Sequence, residues 1–146
     1  MERTLMNNDS WLGATVNYEG SPMALRVRPN IDTAHNRGCF PQLVEVTHKL
    51  AQVRPDGLPS SDYNESLAEF DAQIIEALEE QALGITVVIE TYNGQRSYYA
   101  YVVSVAHAKR AFDTVSSSFP QHTLAFHPGV DAEWGLYTEY RERFRW

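Results

Sequence analysis

The chain lacks most of what export, membrane insertion or nucleic-acid binding would require. Its 146 residues include one cysteine, Cys39, so no internal disulfide can form. No apolar run approaches the roughly 20 residues that cross a bilayer, and no basic and apolar leader opens the sequence. Basic residues number 12 against 19 acidic ones, and the pI near 5.1 opposes binding to phosphate backbones. We therefore expect a cytoplasmic protein without membrane contact, for which nucleic acid is a poor candidate partner.

Recognisable catalytic and cofactor motifs are also absent. The sequence has no glycine-rich phosphate loop, dinucleotide fingerprint or nucleophile elbow, and Cys39 lacks the context of a nucleophilic thiol. His107, His122, His127 and Asp131 are side chains of metal-binding type, but their spacing matches no known ligand pattern. We predict no cofactor and no metal site, and we assign no catalytic residue. Enzymatic activity stays open and is not favoured.

Negative charge is concentrated in one segment. Residues 62–80 contain seven carboxylates and no lysine or arginine, which leaves 19 − 7 = 12 acidic residues against 12 basic ones elsewhere. The formal net charge of −7 therefore resides in this segment alone. Such a face is either solvated and partly compensated by Lys109 and Arg110 of a neighbouring helix, or a contact surface for a basic partner.

Four glutamates of this segment are the candidate partner-binding residues. Glu65 with Glu69, and Glu76 with Glu80, are like-charged pairs four positions apart. Each pair weakens a helix by a few tenths of a kcal/mol. Helix stability alone would favour lysines at some of these positions, so a contact surface stays open as the alternative to a solvated face.

The same segment has helical periodicity. Asp62 as N-cap with Glu65 three residues later matches a capping box, and Gly84 is placed to end the helix as its C′ residue. The apolar residues recur at spacings of three and four, which predicts one buried stripe. The stripe consists of Tyr63, Leu67, Phe70, Ile74, Ile75, Leu78 and Ala82.

Alternating polarity and turn residues predict strands around this helix. Asn93-Gly94 is the strongest short hairpin signal in the chain. A second helix is predicted over 105–119, and Asp131 can cap a terminal helix. Residues 29–41 have no clear period and are predicted to form a surface loop. The predicted strands cover 11–18, 23–28, 43–53, 85–92, 95–103 and 122–126.

From residue 42 to about 126 the predicted order is strand, helix, strand, strand, helix, strand. This is the split βαβ order of ferredoxin-like α+β domains, an antiparallel sheet with helices on one face. An N-terminal hairpin and a C-terminal helix are added to it. No repeat or linker divides the 146 residues, so we predict a single domain.

Three segments carry a family resemblance: Asp56-Gly57-Leu58-Pro59 before the acidic helix, residues 91–96 leading into the tyrosines at 98, 99 and 101, and the late segment 131–134. They resemble an uncharacterised bacterial family, that of domain of unknown function 695. The resemblance spans the chain from about Trp11 onward. It implies a ferredoxin-like α+β domain, which in some members adjoins a region similar to the regulator of ribonuclease E activity, type B. It implies no catalytic residues.

Two functional hypotheses follow. The first is a non-enzymatic protein-binding or regulatory module, which uses the acidic helix face or pairs a sheet edge at 121–126 with a second copy. The second is a small-molecule binder or enzyme with a pocket between the sheet and the 29–41 loop.

Overall fold

The computed structural model describes residues 4–5 and 11–146. Within them the chain forms one seven-stranded sheet and five α-helices. No helix of this part combines the length and hydropathy needed to cross a membrane. The strands are β1 (Thr4–Leu5), β2 (Leu12–Tyr18), β3 (Ser21–Val27), β4 (Gln42–Lys49), β5 (Gly84–Tyr92), β6 (Gln95–Val102) and β7 (Thr123–Val130). The helices are α1 (Thr33–Cys39), α2 (Ser61–Ser66), α3 (Ala68–Glu79), α4 (Val105–Ser118) and α5 (Gly135–Phe144), with a 3₁₀ turn at Glu80–Ala82.

The sheet is antiparallel throughout, and its strand order is β1-β2-β3-β5-β6-β4-β7. The α+β class is therefore confirmed. Three strands extend the sheet beyond β5, so the order differs from that of a simple four-stranded split βαβ unit. Strands β1 and β7 form the two edges.

Helices α3 and α4 cover one face of the sheet. Phe70, Ile74 and Leu78 of α3 and Phe112 and Val115 of α4 belong to one buried cluster. Strand residues of the same face complete it, because successive side chains of a strand point to opposite sides. The prediction that the two helices share one hydrophobic interior is confirmed. The strand residues are Val44, Val46, Ile89, Tyr98, Ala100 and Val102.

Helix α5 covers the opposite face. Asp131 caps it, since Oδ1 accepts from the Gly135 amide at 2.8 Å and Oδ2 from the Leu136 amide at 2.9 Å. The predicted capping by Asp131 is confirmed. Trp134 stacks on Tyr101 with ring centroids 4.0 Å apart. Both rings lie in a second buried cluster, which includes Met23, Leu25, Val27, Val87, Val88 and Tyr137.

Both predicted hairpins are present. Asn93 and Gly94 join β5 to β6 with φ values of 50° and 82°, and Glu19 and Gly20 join β2 to β3 with 50° and 85°. Two-residue turns with positive φ at both positions match the twist of antiparallel strands. The turn between β2 and β3 is tighter than predicted, because β3 already begins at Ser21.

Three predicted boundaries were wrong. The 29–41 segment is not all loop, because Asp32 accepts from the His35 amide at 3.1 Å and starts helix α1. Strand β4 ends at Lys49, before the predicted end at Val53. Strand β7 continues through Pro128 to Val130, beyond the predicted end near 126. Proline has no backbone N–H, and an edge strand tolerates it where that N–H would point away from the sheet.

The acidic helix also differs from its prediction. It is divided at Leu67 into α2 and α3, and its N-cap residue is Ser60, not Asp62. Gly84 is not the C′ residue, since positive φ occurs at Gln81 and Ala82 instead. Glycine is needed at 84 because a Cβ there would lie 2.2 Å from the Leu78 carbonyl oxygen.

A candidate binding groove beside the acidic helix

The carboxylates of the acidic segment divide into two groups. Asp71 and Glu79 are half-buried on the side of α3 that faces strand β3. The other five are exposed, namely Asp62 and the four predicted partner-binding residues Glu65, Glu69, Glu76 and Glu80.

Arg26 of β3 pairs with Asp71. Its Nη1 lies 3.0 Å from both carboxylate oxygens, and the hydroxyl of Tyr98 donates to Oδ1 at 2.8 Å. Tyr98 is fully buried. Its pKa lies well above the ordinary value because of burial and the adjacent Asp71 carboxylate. Asp71 thus connects β3, α3 and β6.

Arg28 makes the equivalent connection about two turns further along α3, at Glu79. Its Nη1 lies 2.9 Å from Glu79 Oε2, and Nη2 donates to Oε1 at 3.3 Å. Glu79 Oε2 also accepts from the backbone amide of Thr86 at 2.8 Å. Arg28 directly follows β3 and continues its pairing through a hydrogen bond from its amide to Val87, so it points to the same face as Arg26, two positions before it.

The negative charge of the acidic helix is therefore compensated by other residues than the expected Lys109 and Arg110. Arg26 and Arg28 supply the compensation, whereas Lys109 instead pairs with Asp113 on its own helix at 2.7 Å. Arg110 forms no ion pair with a described residue.

The indole ring of Trp11 packs against the guanidinium groups of both arginines. Its side chain is 2% exposed, and the guanidinium carbons of Arg28 and Arg26 lie 4.6 and 5.4 Å from its ring centroid. A cation over an indole face is attracted by the ring quadrupole. The arginines are thereby held in fixed positions.

An open groove of about 600 Å³ lies between these arginines and α3. It exists because α3 packs mainly over β5 and β6, which leaves β3 beside it uncovered. We call it the α3 groove. Its lining consists of Trp11, Arg26, Arg28, Asp71, Ala72, Ile75, Glu76, Glu79, Glu80 and Gln81.

The groove has a negative rim. Glu76 and Glu80 are exposed, and their side chains form no ion pair or hydrogen bond with another described residue. They lie at the C-terminal end of α3, where the helix dipole adds negative potential. The positive charges of the groove, in contrast, are already neutralised by Asp71 and Glu79.

The structure brings together two of the four predicted residues. Glu76 and Glu80 line the α3 groove, while Glu65 and Glu69 do not. Glu69 accepts a hydrogen bond from Gln73, four residues on, at 3.3 Å.

Sequence reasoning missed the basic and aromatic side of the groove. The alternation of Arg26 and Arg28 with buried Leu25 and Val27 was a signal that both arginines share the other face. Nothing in the sequence indicated that Trp11 would lie under them, since that contact crosses from the start of β2.

The four residues considered for a metal have different surroundings. His107 lies in the first turn of α4, where its amide donates to Ser104 Oγ at 3.2 Å. His122 packs against His48 and Phe119, with ring centroids 4.5 and 5.5 Å away, and His127 lies 3.2 Å from Thr47 Oγ1. Asp131 serves the α5 cap. In the described ranges, no group of three or more His, Cys, Asp or Glu side chains is placed to hold a metal ion.

His48 is the histidine whose pKa is shifted furthest from its ordinary value. It is 1% exposed, and its Nδ1 has no hydrogen-bond partner among the described residues. Burial, followed by the nearby His122 and Arg96, lowers the pKa of His48 to about 4. It is therefore neutral at physiological pH.

The 29–41 segment packs onto the sheet. Ile31 and Phe40 contact the second buried cluster, and the indole N–H of Trp134 donates to the Phe40 carbonyl at 2.9 Å. A cavity of about 210 Å³ lies elsewhere on this face, between β5 and α5. There Tyr140 donates to Glu90, whose pKa is raised by burial against the opposing effect of that hydrogen bond.

These features define an α+β domain with a preformed, acid-rimmed groove beside its longest acidic helix. By sequence, residues 9–140 match the family of unknown function DUF695, and the chain belongs to this family. No match to the chain is found among curated proteins or among solved structures.

Proposed function

We propose that this protein is a binding module whose α3 groove takes a basic segment of a partner protein. The observation that supports this most is the division of the groove's charges. Asp71 and Glu79 pair with Arg26 and Arg28, while the side chains of Glu76 and Glu80 on the rim have no partner within residues 4–5 and 11–146.

The proposed partner segment carries lysine or arginine next to small apolar side chains. Lysine and arginine would meet Glu76 and Glu80, and the apolar side chains would meet Ala72 and Ile75 on the groove wall. The groove is open, so these ion pairs stay solvated, and each contributes at most about 1 kcal/mol. Affinity would therefore fall as the salt concentration rises.

A charge-matched pair of variants tests the proposal. We would titrate the protein with a synthetic lysine–alanine peptide and follow backbone amide shifts by NMR. The double substitution Glu76→Gln with Glu80→Gln removes two charges in the groove. Glu65→Gln with Glu69→Gln removes two charges from the same helical segment outside it.

We expect shifts at Ala72, Ile75 and Gln81, weaker binding for the groove variant, and nearly unchanged binding for the control variant. Equal losses in both variants would mean general attraction to a negative helix and would reject the groove. Binding of a glutamate–alanine peptide of the same length would also contradict it.

We propose a second mode of association, a homodimer through β7. In support, β7 is an edge strand of the sheet, and its last residue Val130 is 80% exposed. Unpaired strand edges can add a strand from another copy. Sedimentation equilibrium over a wide protein concentration tests this, and a monomer throughout would exclude it.

A small-molecule or enzymatic role remains the alternative proposal, with its pocket placed between β5 and α5 and not beside the 29–41 segment, where the sequence predicted it. What supports it is the cavity between β5 and α5, where Glu90, Tyr140 and Arg143 converge. Polar groups that converge in a cavity with a perturbed carboxyl are typical of such sites.

Two further points belong to the same proposal. The unit from β4 to β7 is interpreted as a ferredoxin-like core, supported by its internal order β5-β6-β4-β7 and by helices α3 and α4 on one face.

We place the protein in the cytoplasm, supported by exposed Cys39, which a reducing compartment keeps as a thiol.

A further inference from the structure

A second concavity lies at the other end of the acidic helix, beside α2. It measures about 220 Å³, and its lining contains two arginines and three hydroxyl or amide side chains but no carboxylate. We call it the Arg96 pocket. The lining residues are Ala24, Arg54, Leu58, Pro59, Ser61, Asn64, Thr91 and Arg96.

Arg96 is a buried cation without a carboxylate partner. It is 9% exposed, and it forms no ion pair with a described residue. Its Nε donates to Thr91 Oγ1 at 2.8 Å and its Nη2 to Asn64 Oδ1 at 2.6 Å. Burying a charge costs free energy unless an opposite charge compensates it, and both of these partners are neutral.

The two partners of Arg96 are held so that each has a donor to spare. The Asn64 carbonyl oxygen faces Arg96, so its amide N–H groups are directed away from the guanidinium. The Thr91 hydroxyl accepts from Arg96 and keeps its own hydrogen. Together with the Ser61 hydroxyl and the remaining N–H groups of Arg96, the pocket offers a surplus of donors.

Arg54 contributes less charge than Arg96. Its side chain is 50% exposed, and it is bonded to Asp56 through Nε at 3.2 Å and Nη2 at 2.5 Å. The net positive charge of the pocket thus comes from Arg96.

The loop that carries Arg54 is fixed to the β5–β6 turn. The Gly57 carbonyl accepts from the Gly94 amide at 2.8 Å, and the Arg54 amide donates to the Leu58 carbonyl at 2.8 Å. Gly57 has φ +89°, and a Cβ there would lie 2.8 Å from Asn93 Cα. The loop at the mouth of the pocket is therefore held by close backbone packing of Gly57 against Asn93 and Gly94.

We propose that the Arg96 pocket binds a phosphate group, either as inorganic phosphate or as a small phosphate monoester. A tetrahedral oxyanion has acceptor oxygens for donors that arrive from several elements, here α2, β5 and β6. It would also supply the missing counter-charge to Arg96, and arginine binds phosphate through strong charge-assisted hydrogen bonds.

The test uses the intact chain and two phosphate probes. Inorganic phosphate and phenyl phosphate are titrated separately at constant ionic strength, with sodium acetate as the comparison anion. Backbone amide shifts of Ser61, Asn64, Thr91 and Arg96 report the location of binding without any substitution. The variants are Arg96→Gln and, as a charge-matched control on the surface of α4, Arg110→Gln.

We expect both phosphates to shift these amides and to raise the melting temperature. Arg96→Gln should weaken binding by about tenfold or more, the loss expected for a charge-assisted hydrogen bond. Arg110→Gln should change nothing. Tighter binding of phenyl phosphate would identify a monoester as the ligand, and equal binding would identify inorganic phosphate.

Absence of saturable shifts at these residues in the wild-type chain would overturn the proposal. Acetate binding as strong as phosphate binding would overturn the choice of ligand. If Arg96→Gln fails to fold, Arg96→Lys and the wild-type shifts still decide the question. The proposal is independent of the groove, because Glu76→Gln with Glu80→Gln should leave phosphate binding intact.

Discussion

The two ends of the acidic helix hold their arginines in opposite ways. At the α3 groove, Arg26 and Arg28 are paired with Asp71 and Glu79. At the Arg96 pocket, the more deeply buried arginine has only neutral acceptors. The difference shows that in a chain of net charge −7 the carboxylates are not placed simply where buried cations lie.

The two arrangements have different consequences. A paired arginine has its charge neutralised, so it connects elements of the fold and leaves the neighbouring carboxylates to set the local potential. An arginine held by an amide and a hydroxyl keeps its charge available to a ligand. One end of the helix is therefore suited to cations and the other to anions.

The largest effect should come from breaking a pair at the groove end. Asp71→Ala removes both oxygens that Arg26 contacts and the acceptor of the buried Tyr98 hydroxyl. Because a half-buried cation and a buried hydroxyl lose their partner together, we expect a loss of about 3 kcal/mol in the free energy of unfolding. Urea denaturation measures it.

Glu76→Ala is the matched control for this prediction, since it lies five residues further on the same helix and is exposed. It should change stability by less than about 0.5 kcal/mol. Similar losses for the two variants would mean that the Arg26 pair does not connect β3 to α3.

The pocket end should respond to pH. The pKa of His48 is lowered to about 4 by burial, by His122 and by Arg96. In the unfolded chain His48 has an ordinary pKa of about 6.5, so it binds a proton at a higher pH than in the folded chain. Because the unfolded state then binds more protons, the free energy of unfolding falls as the pH falls. Between pH 7 and pH 5 this loss amounts to about 2 kcal/mol, and it levels off below about pH 4.

Urea midpoints from pH 7 to pH 4.5 measure this slope. His48→Phe should reduce the slope, because the ring still fills the space between Phe70 and His122 but does not titrate. A smaller slope of the same sign should persist from His122, whose pKa burial also lowers. His35→Gln, at an exposed position, should leave the slope unchanged. A wild-type slope that survives in His48→Phe would assign the pH dependence to other groups.

Local signals made part of this fold predictable. The Asn93-Gly94 turn, the periodicity of 105–119 and the Asp131 cap each depend on residues close together in the sequence, and all three are present. Most of the predicted stripe of the acidic helix was predictable for the same reason, since Leu67, Phe70, Ile74 and Leu78 are buried, but Ala82 at its end is exposed. Helix α1 was missed because its cap, Asp32, lies in a stretch without apolar period.

The sites were predictable only in part. The negative rim of Glu76 and Glu80 follows from composition and helical spacing. The pairing of Arg26 with Asp71 joins residues 45 positions apart, and that of Arg96 with Asn64 joins residues 32 apart. The first pair depends on the strand order, which places β3 next to β5. The second depends on how the α2 segment packs against β6.

The smallest effect should come from the rim of the groove. Glu80→Gln removes a negative charge from the C-terminal end of α3 and relieves repulsion with Glu76 four residues before it. We expect the free energy of unfolding to rise by a few tenths of a kcal/mol, because both effects of the charge are unfavourable to the helix. Urea denaturation at low salt measures the gain, and high salt should erase it by screening. A loss of stability instead would mean that Glu80 has a stabilising partner within the protein, and the rim would then not be free to bind a basic segment.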